Sequence, residues 1–251
     1  MLPLTPVTSA HLALLFLAIG IVAFLYSTVG HAGASGYIAV MTLLGLAPAT
    51  IRPTALILNI LVASIGSFQF ARAGYFRWRL FWPFALLSIP AAYFGGYLQL
   101  PVSLLRILIG LVLLFSAARL FFRKSDPDEV RSPDSSTAIG LGAAIGLLSG
   151  LTGTGGGIFL TPALLFFRWA RIREAAAVSA PFILVNSIAG LIGFFIATRS
   201  ISSLGLILAG AAIVGGTAGS FLGSQRFPVR TISLILAIVL VIAGTKLIFT
   251  R

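Results

Sequence analysis

The sequence predicts an all-α polytopic membrane protein made of two inverted structural repeats. Three observations point there. Hydrophobic residues fill 59% of the 251 positions and charged residues only 9%, whereas a water-soluble domain carries roughly a quarter charged residues. The apolar residues run in long stretches broken by short polar turns. Finally, the two halves repeat one pattern: a cluster of tiny residues, an apolar run, an arginine, an asparagine, and a glycine seven residues further on.

Ten apolar segments can be drawn, over 10–30, 34–48, 54–71, 80–99, 104–122, 138–152, 155–169, 175–197, 204–224 and 230–249. A spanning helix needs about 20 apolar residues, so 34–48, 138–152 and 155–169 read as broken or re-entrant. Each of these short segments abuts a glycine cluster, and each repeat adds three full transmembrane helices to its short segments. The first segment lacks a basic leader and a cleavage site, so it is expected to be retained as a span. Between the halves, residues 123–137 hold two prolines, several serines and mixed charges, the mark of a solvated linker. The expected organisation is therefore an N-terminal repeat 1–122, a linker 123–137 and a C-terminal repeat 138–251.

The net charge of +12 has a membrane explanation rather than a nucleic-acid one. With an odd number of crossings per half, twelve of the seventeen Lys and Arg residues fall on one face and only Arg52, Arg106, Arg199, Lys246 and Arg251 on the other. If each pair of short segments made one span, the split would be ten against seven. The positive-inside bias therefore favours inverted repeats, a cytoplasmic linker and both termini periplasmic. With no cysteine, two histidines and five carboxylates, no metal site and no cofactor are expected.

The chemistry-bearing residues sit mostly in the repeated clusters. The first holds Gly30, His31, Gly33, Ser35 and Gly36; the second holds Thr152, Gly153, Thr154, Gly155, Gly156 and Gly157. Irregular backbone at membrane depth is tolerated only where protein buries it or a wet cavity meets it. Broken helices there expose N–H groups and a positive dipole end, an anion site needing no charged side chain. All five carboxylates, Asp126, Asp128, Glu129, Asp134 and Glu174, fall in the linker or at a loop edge, which favours an anion over a cation as substrate. Asn59 and Asn186, about two turns into their helices, either bond across helices or touch substrate. Arg52 and Arg173 stand sixteen residues after Gly36 and Gly157 and read as equivalent positions just before a helix, suited to attracting anions at two entrances. Setting topology or meeting lipid headgroups would explain both arginines equally well. The glycines at 95–96, 215–216 and 219–223 are expected to serve helix packing.

Two other classes of function compete. Gly33-Ala34-Ser35-Gly36 with His31 upstream spells the nucleophile motif of an intramembrane serine hydrolase. That reading leaves the second cluster, which has no Ser or His, unexplained. An assembly subunit that transports nothing is also open, although packing alone does not call for two matched interrupted segments.

Residues 146–164, GLLSGLTGTGGGIFLTPAL, followed by REAAAVSAPF at 173–182, resemble the sulfite exporter TauE/SafE family, and 26–59 is similar to that family's N-terminal repeat. The resemblance implies a non-enzymatic carrier in the bacterial inner membrane for sulfite, with organosulfonates such as sulfoacetate or thiosulfate as alternatives. Its glycine motif falls on Gly150, Gly153, Gly155, Gly156 and Gly157, with Gly30, Gly33 and Gly36 as repeat counterparts. Where the family has a Thr-Ser pair this chain has Val178-Ser179, so the Ser179 hydroxyl stands alone. The partners expected are a small anion and lipid, with no nucleic acid; a homodimer is left open, as are export against import and the mode of coupling.

Overall fold

The computed structural model describes residues 9–98, 129–199 and 203–228, with isolated helical positions between 114 and 121 and between 230 and 245. The described residues are helical, without a strand, and form α1 (Ser9–Ser27), α2 (Ala34–Leu43), α3 (Pro48–Arg72), α4 (Trp78–Tyr97), α5 (Ser135–Thr152), α6 (Gly157–Phe166), α7 (Ile172–Thr198) and α8 (Leu204–Gln225). Among them, Ala49–Arg72, Ser135–Thr152, Ile172–Thr198 and Leu204–Gln225 are long and apolar enough to cross a membrane. The segments expected over 104–122 and 230–249 lie largely outside the described residues.

Helix ends depart from the apolar runs for local reasons. Helix α3 starts six residues before its apolar run because Pro48 suits a first helical position. Helix α2 stops at Leu43, where Gly45 turns left-handed at φ +74° and the Leu46 N–H returns to the Met41 carbonyl. The segment expected at 138–152 as a short one is corrected. The Asp134 carboxylate accepts from the Thr137 N–H and recruits Ser135, Ser136 and Thr137 into α5, which reaches 18 residues. Among the described helices, α2 and α6, ten residues each and so about 15 Å long, are too short to span.

Packing follows glycines. On α5, Gly142, Gly146 and Gly150 lie flush against the carbonyls of Phe84, Ser88 and Ala92 on α4; a Cβ at these sites would stand 2.2, 2.3 and 2.1 Å from those oxygens. On α8, Gly215, Gly219 and Gly223 meet the carbonyls of Gly20 and Phe24 on α1 and of Thr28 just after it, each at 2.1 Å. Both ladders rise in step, so α4 runs parallel to α5 and α1 parallel to α8. Such approach yields dispersion contacts and Cα–H···O bonds, which drive helix association where lipid is as apolar as leucine. Helices α3 and α7 instead cross antiparallel: Phe70 packs with Ala176 and Ala177, Gly66 faces Ala180, Asn59 meets Ser187 and Gly190 faces Leu56.

Two large buried clusters result, beside the small one of Phe70, Ala176 and Ala177. One joins α1, α2 and α3 with α8 around Tyr37, Leu58 and Leu208; the other joins α4 with α5, α6 and α7 around Phe84, Leu160 and Phe182. Three consecutive helices of each half are thus completed by the fourth helix of the other half. Polar residues turn inward while Leu206 and Val214 stand 71% exposed, an arrangement suited to lipid and not to water.

Candidate functional site

The two glycine clusters are two breaks in helical chain. Gly30 and Gly33 take φ of +75° and +105° between α1 and α2; Gly153, Gly155 and Gly156 take +76°, +77° and +83° between α5 and α6. These are left-handed values that glycine alone adopts without strain. In each break two such glycines stand three residues apart, and the second immediately precedes a ten-residue helix. Gly30 and Gly153 thus stand at the same distance ahead of a ten-residue helix, as do Gly33 and Gly156. Gly36, expected as part of the first cluster's cradle, is the third residue of α2 and packs on Val22 and Tyr26 of α1. It lies in the first turn of α2, which has already begun at Ala34.

Both breaks meet the crossing of α3 and α7. A Cβ on Gly155 would lie 2.7 Å from Asn59 Nδ2 and 2.9 Å from Ser187 Oγ; one on Gly157 would lie 2.3 Å from Ile183 Cδ1 and 3.5 Å from His31 Cδ2. Asn59 Nδ2 donates to Ser187 Oγ at 3.3 Å across the crossing, and Asn186 Nδ2 donates to the Phe182 carbonyl at 2.8 Å. His31 Nε2 bonds Thr161 Oγ1 on α6 at 2.9 Å, and Thr161 Oγ1 bonds Ser179 Oγ on α7 at 2.7 Å. All of these side chains are buried, His31 at 3% exposure.

Several polar atoms here have no partner within the protein: His31 Nδ1, Asn59 Oδ1, Asn186 Oδ1 and Ser149 Oγ. Each buried polar atom left unpaired costs about 1–3 kcal/mol. Such a concentration is what a binding site for a polar ligand or water leaves behind. The N–H groups opening α6 add donors: the first returns into the helix are from Phe159 and Leu160, both to the Gly156 carbonyl, so the preceding N–H groups reach no intrahelical acceptor.

The other expected residues divide. Thr152 Oγ1 bonds the Leu148 carbonyl and the Thr154 hydroxyl, so this pair closes the end of α5 upon itself. Ser35 directs its hydroxyl at Tyr26 OH, 2.9 Å away. The base that a serine hydrolase would require, His31, is bonded instead to Thr161. Arg52 and Arg173 lie inside their helices, not just before them, and their positions are not equivalent: Arg52 is the fifth residue of α3 and Arg173 the second of α7. Arg52 donates to the carbonyls of Gly95 at 2.9 Å, of Gly96 at 3.1 Å and of Gly150, and lies over the Phe194 ring. It thereby satisfies the orphan carbonyls ending both α4 and α5 beside Gly153. Arg173 bonds Tyr75 OH and the Phe227 carbonyl, each at 2.8 Å, and reaches neither break.

Sequence reasoning missed Thr161, Ser187 and Ser149. A signal existed for two of them. Thr161 follows Gly157 by four residues and so shares its helix face; Ser187 follows Ser179 by eight, two turns along α7.

Known membrane proteins resemble the chain in sequence. The family model described as "Sulfite exporter TauE/SafE" matches residues 15–247. A protein of Sinorhizobium fredii named "Probable membrane transporter protein y4hK" is 39% identical over 240 residues, covering 94% of this chain and 97% of its own. Proteins likewise named probable membrane transporters in Methanocaldococcus jannaschii and Bacillus subtilis are 29% and 30% identical over 150 and 118 residues, with 57% and 47% of this chain and 55% and 43% of theirs covered. No solved structure matches the chain. A match over nearly the whole length, on an apolar helical frame with two glycine breaks, makes this chain a membrane transporter belonging to the sulfite exporter TauE/SafE family.

Proposed function

We propose that the protein exports small sulfur-containing oxyanions, sulfite first, by alternating access around a site where the two glycine breaks meet the α3–α7 crossing. The observation that carries this is the group of unpaired buried polar atoms at that crossing, flanked by the opening N–H groups of α6. The described carboxylates Glu129, Asp134 and Glu174 stand before or at helix starts, which favours an anionic cargo. The choice of sulfite rests on the family description; organosulfonates and thiosulfate share the same acceptor-only oxygen face.

Inverted repeats are supported by the packing. Matching α1 to α5, α2 to α6, α3 to α7 and α4 to α8 turns the parallel α1–α8 pair into the parallel α5–α4 pair. The same match maps the antiparallel α3–α7 pair onto itself. That is the behaviour of a two-fold axis lying in the membrane plane, the arrangement around which one repeat can rock against the other. The linker 123–137 is assigned to the cytoplasm and both termini to the periplasm of a bacterial inner membrane, on the bias of basic residues.

The test is sulfite efflux from proteoliposomes with an imposed potential, comparing wild type with Gly156→Leu. A Cβ on Gly156 already stands 2.9 Å from the Phe182 ring at a φ of +83°, so leucine is expected to abolish flux. Intact flux in this variant refutes the glycine site. No wild-type efflux over empty vesicles removes sulfite as the substrate and moves the test to sulfoacetate and thiosulfate.

A further inference from the structure

His31 is the membrane-embedded group with chemistry left over once an anion site is granted. It sits in the first break, yet its Nε2 is bonded to Thr161 and, through it, to Ser179 in the second half. Its Nδ1 is buried without a partner. Among the described residues, no Asp, Glu, Lys or Cys lies within α1–α3 or α5–α6, or in the breaks between them. Histidine is the side chain whose unperturbed titration falls in the physiological range.

The charged and titratable groups on the surrounding elements are engaged elsewhere. Arg52 on α3 is held by the Gly95, Gly96 and Gly150 carbonyls, and Arg173 on α7 by Tyr75 and Phe227. On α7, Glu174 faces the Arg171 N–H and Arg77. Tyr26 on α1 receives the Ser35 hydroxyl, and Tyr37 on α2 donates to the Ala32 carbonyl. Helix α6 carries no ionisable side chain.

We infer that His31 takes up one proton with each anion and carries it through the transport cycle, a reading that rests on the anion site proposed above. The hydroxyl chain permits it. With a proton on Nδ1 alone, Thr161 donates to Nε2 and Ser179 to Thr161. When Nε2 also carries a proton, both hydroxyls reverse and Thr161 accepts. A bound oxyanion supplies the counter-charge for an imidazolium and an acceptor for its unpaired Nδ1–H. By linkage, anion and proton then strengthen each other's binding by the same factor. The balance is simple: one proton joins the imidazole from water on the loading side, no covalent bond of the anion changes, and both leave on the opposite side. Each turnover therefore moves one negative charge fewer than the bare anion would.

The measurement is radiolabelled sulfite flux in proteoliposomes, with potential clamped by potassium and valinomycin and protons counted by an entrapped pH dye. Sulfite brings protons of its own, so the comparison is between wild type and His31→Gln. Glutamine is expected to slow exchange, remove one proton per sulfite and make the flux steeper in potential. Equal proton counts and equal potential dependence in the two proteins overturn the inference. Should His31→Gln carry no flux, Thr161→Val decides. Loss of its hydroxyl is expected to shift the pH midpoint of transport by more than half a unit, and a wild-type pH profile overturns the inference. No wild-type sulfite flux would mark failure of the anion-carrier reading beneath it, an outcome distinct from flux that ignores His31.

Discussion

Replacing Gly155 by alanine adds one methyl group at the α3–α7 crossing. The backbone there has φ of +77°, and the new Cβ would stand 2.6 Å from Ile183 Cγ2, 2.7 Å from Asn59 Nδ2 and 2.9 Å from Ser187 Oγ. Holding an L-residue in the left-handed region costs about 1–2 kcal/mol. Overpacking against a β-branched isoleucine adds about 1–3 kcal/mol, and separating Asn59 from Ser187 leaves a buried amide unpaired for about 1–3 more. Even the low ends of these ranges amount to about 3 kcal/mol. Gly74 provides a matched control, with φ of +82° and no atom within 4 Å of an added Cβ, so Gly74→Ala carries the backbone strain alone. The two variants should differ by about 2 kcal/mol or more, which for a chain of this size is a gap of roughly 4–8 °C in thermal midpoint. Scanning fluorimetry in detergent at one scan rate reads the gap, because unfolding of such proteins is often irreversible. Sulfite flux should fall sharply in Gly155→Ala and persist in Gly74→Ala. Coincident midpoints with equal flux would refute the close contact of this break with the crossing.

Two further outcomes follow from α5. Gly140→Ala has open space around it and should stabilise the protein by about 0.5–1 kcal/mol, whereas Gly146→Ala meets the Ser88 carbonyl at 2.3 Å and should destabilise by about 1–3 kcal/mol; shifts of the same sign in thermal midpoint would contradict the parallel α4–α5 ladder. At the start of the same helix, the Ser136 hydroxyl and then the Thr137 N–H hold the Asp134 carboxyl below the usual carboxylate range. A depressed folded value means that the cap's contribution is present above the ordinary aspartate range, about pH 4, and is lost as pH falls through the depressed value. The midpoint difference between wild type and Asp134→Ala should thus be open at neutral pH and close in acid, and a pH-independent difference would refute the cap.

Much of the site could be read in the chain because glycine marks backbone that other residues cannot adopt. Gly30, Gly33, Gly153, Gly155 and Gly156 were expected at breaks, and all five take positive φ. Gly36 lies inside α2 and not in the break; a glycine that begins a helix and one that interrupts it look alike in a string of tiny residues. The arginines misled for a related reason: equal spacing from Gly36 and Gly157 implied equivalence, but α2 starts two residues ahead of Gly36 and α6 starts at Gly157. Equal spacing from a glycine therefore leaves Arg52 and Arg173 at different depths in their helices.

By itself the sequence determined the membrane class, most of the described helices and the places where they break. These depend on composition and on local backbone preference, which act over a few residues. Tertiary structure alone decided that the fourth helix of each half packs with the other half and that His31 reaches Thr161, 130 positions away. It likewise decided that Arg52 caps two helices while Arg173 caps neither. Those outcomes depend on which small-residue face meets which carbonyl ridge. In a chain where many helix faces carry glycine, alanine and serine, that choice emerges only when all the helices pack together.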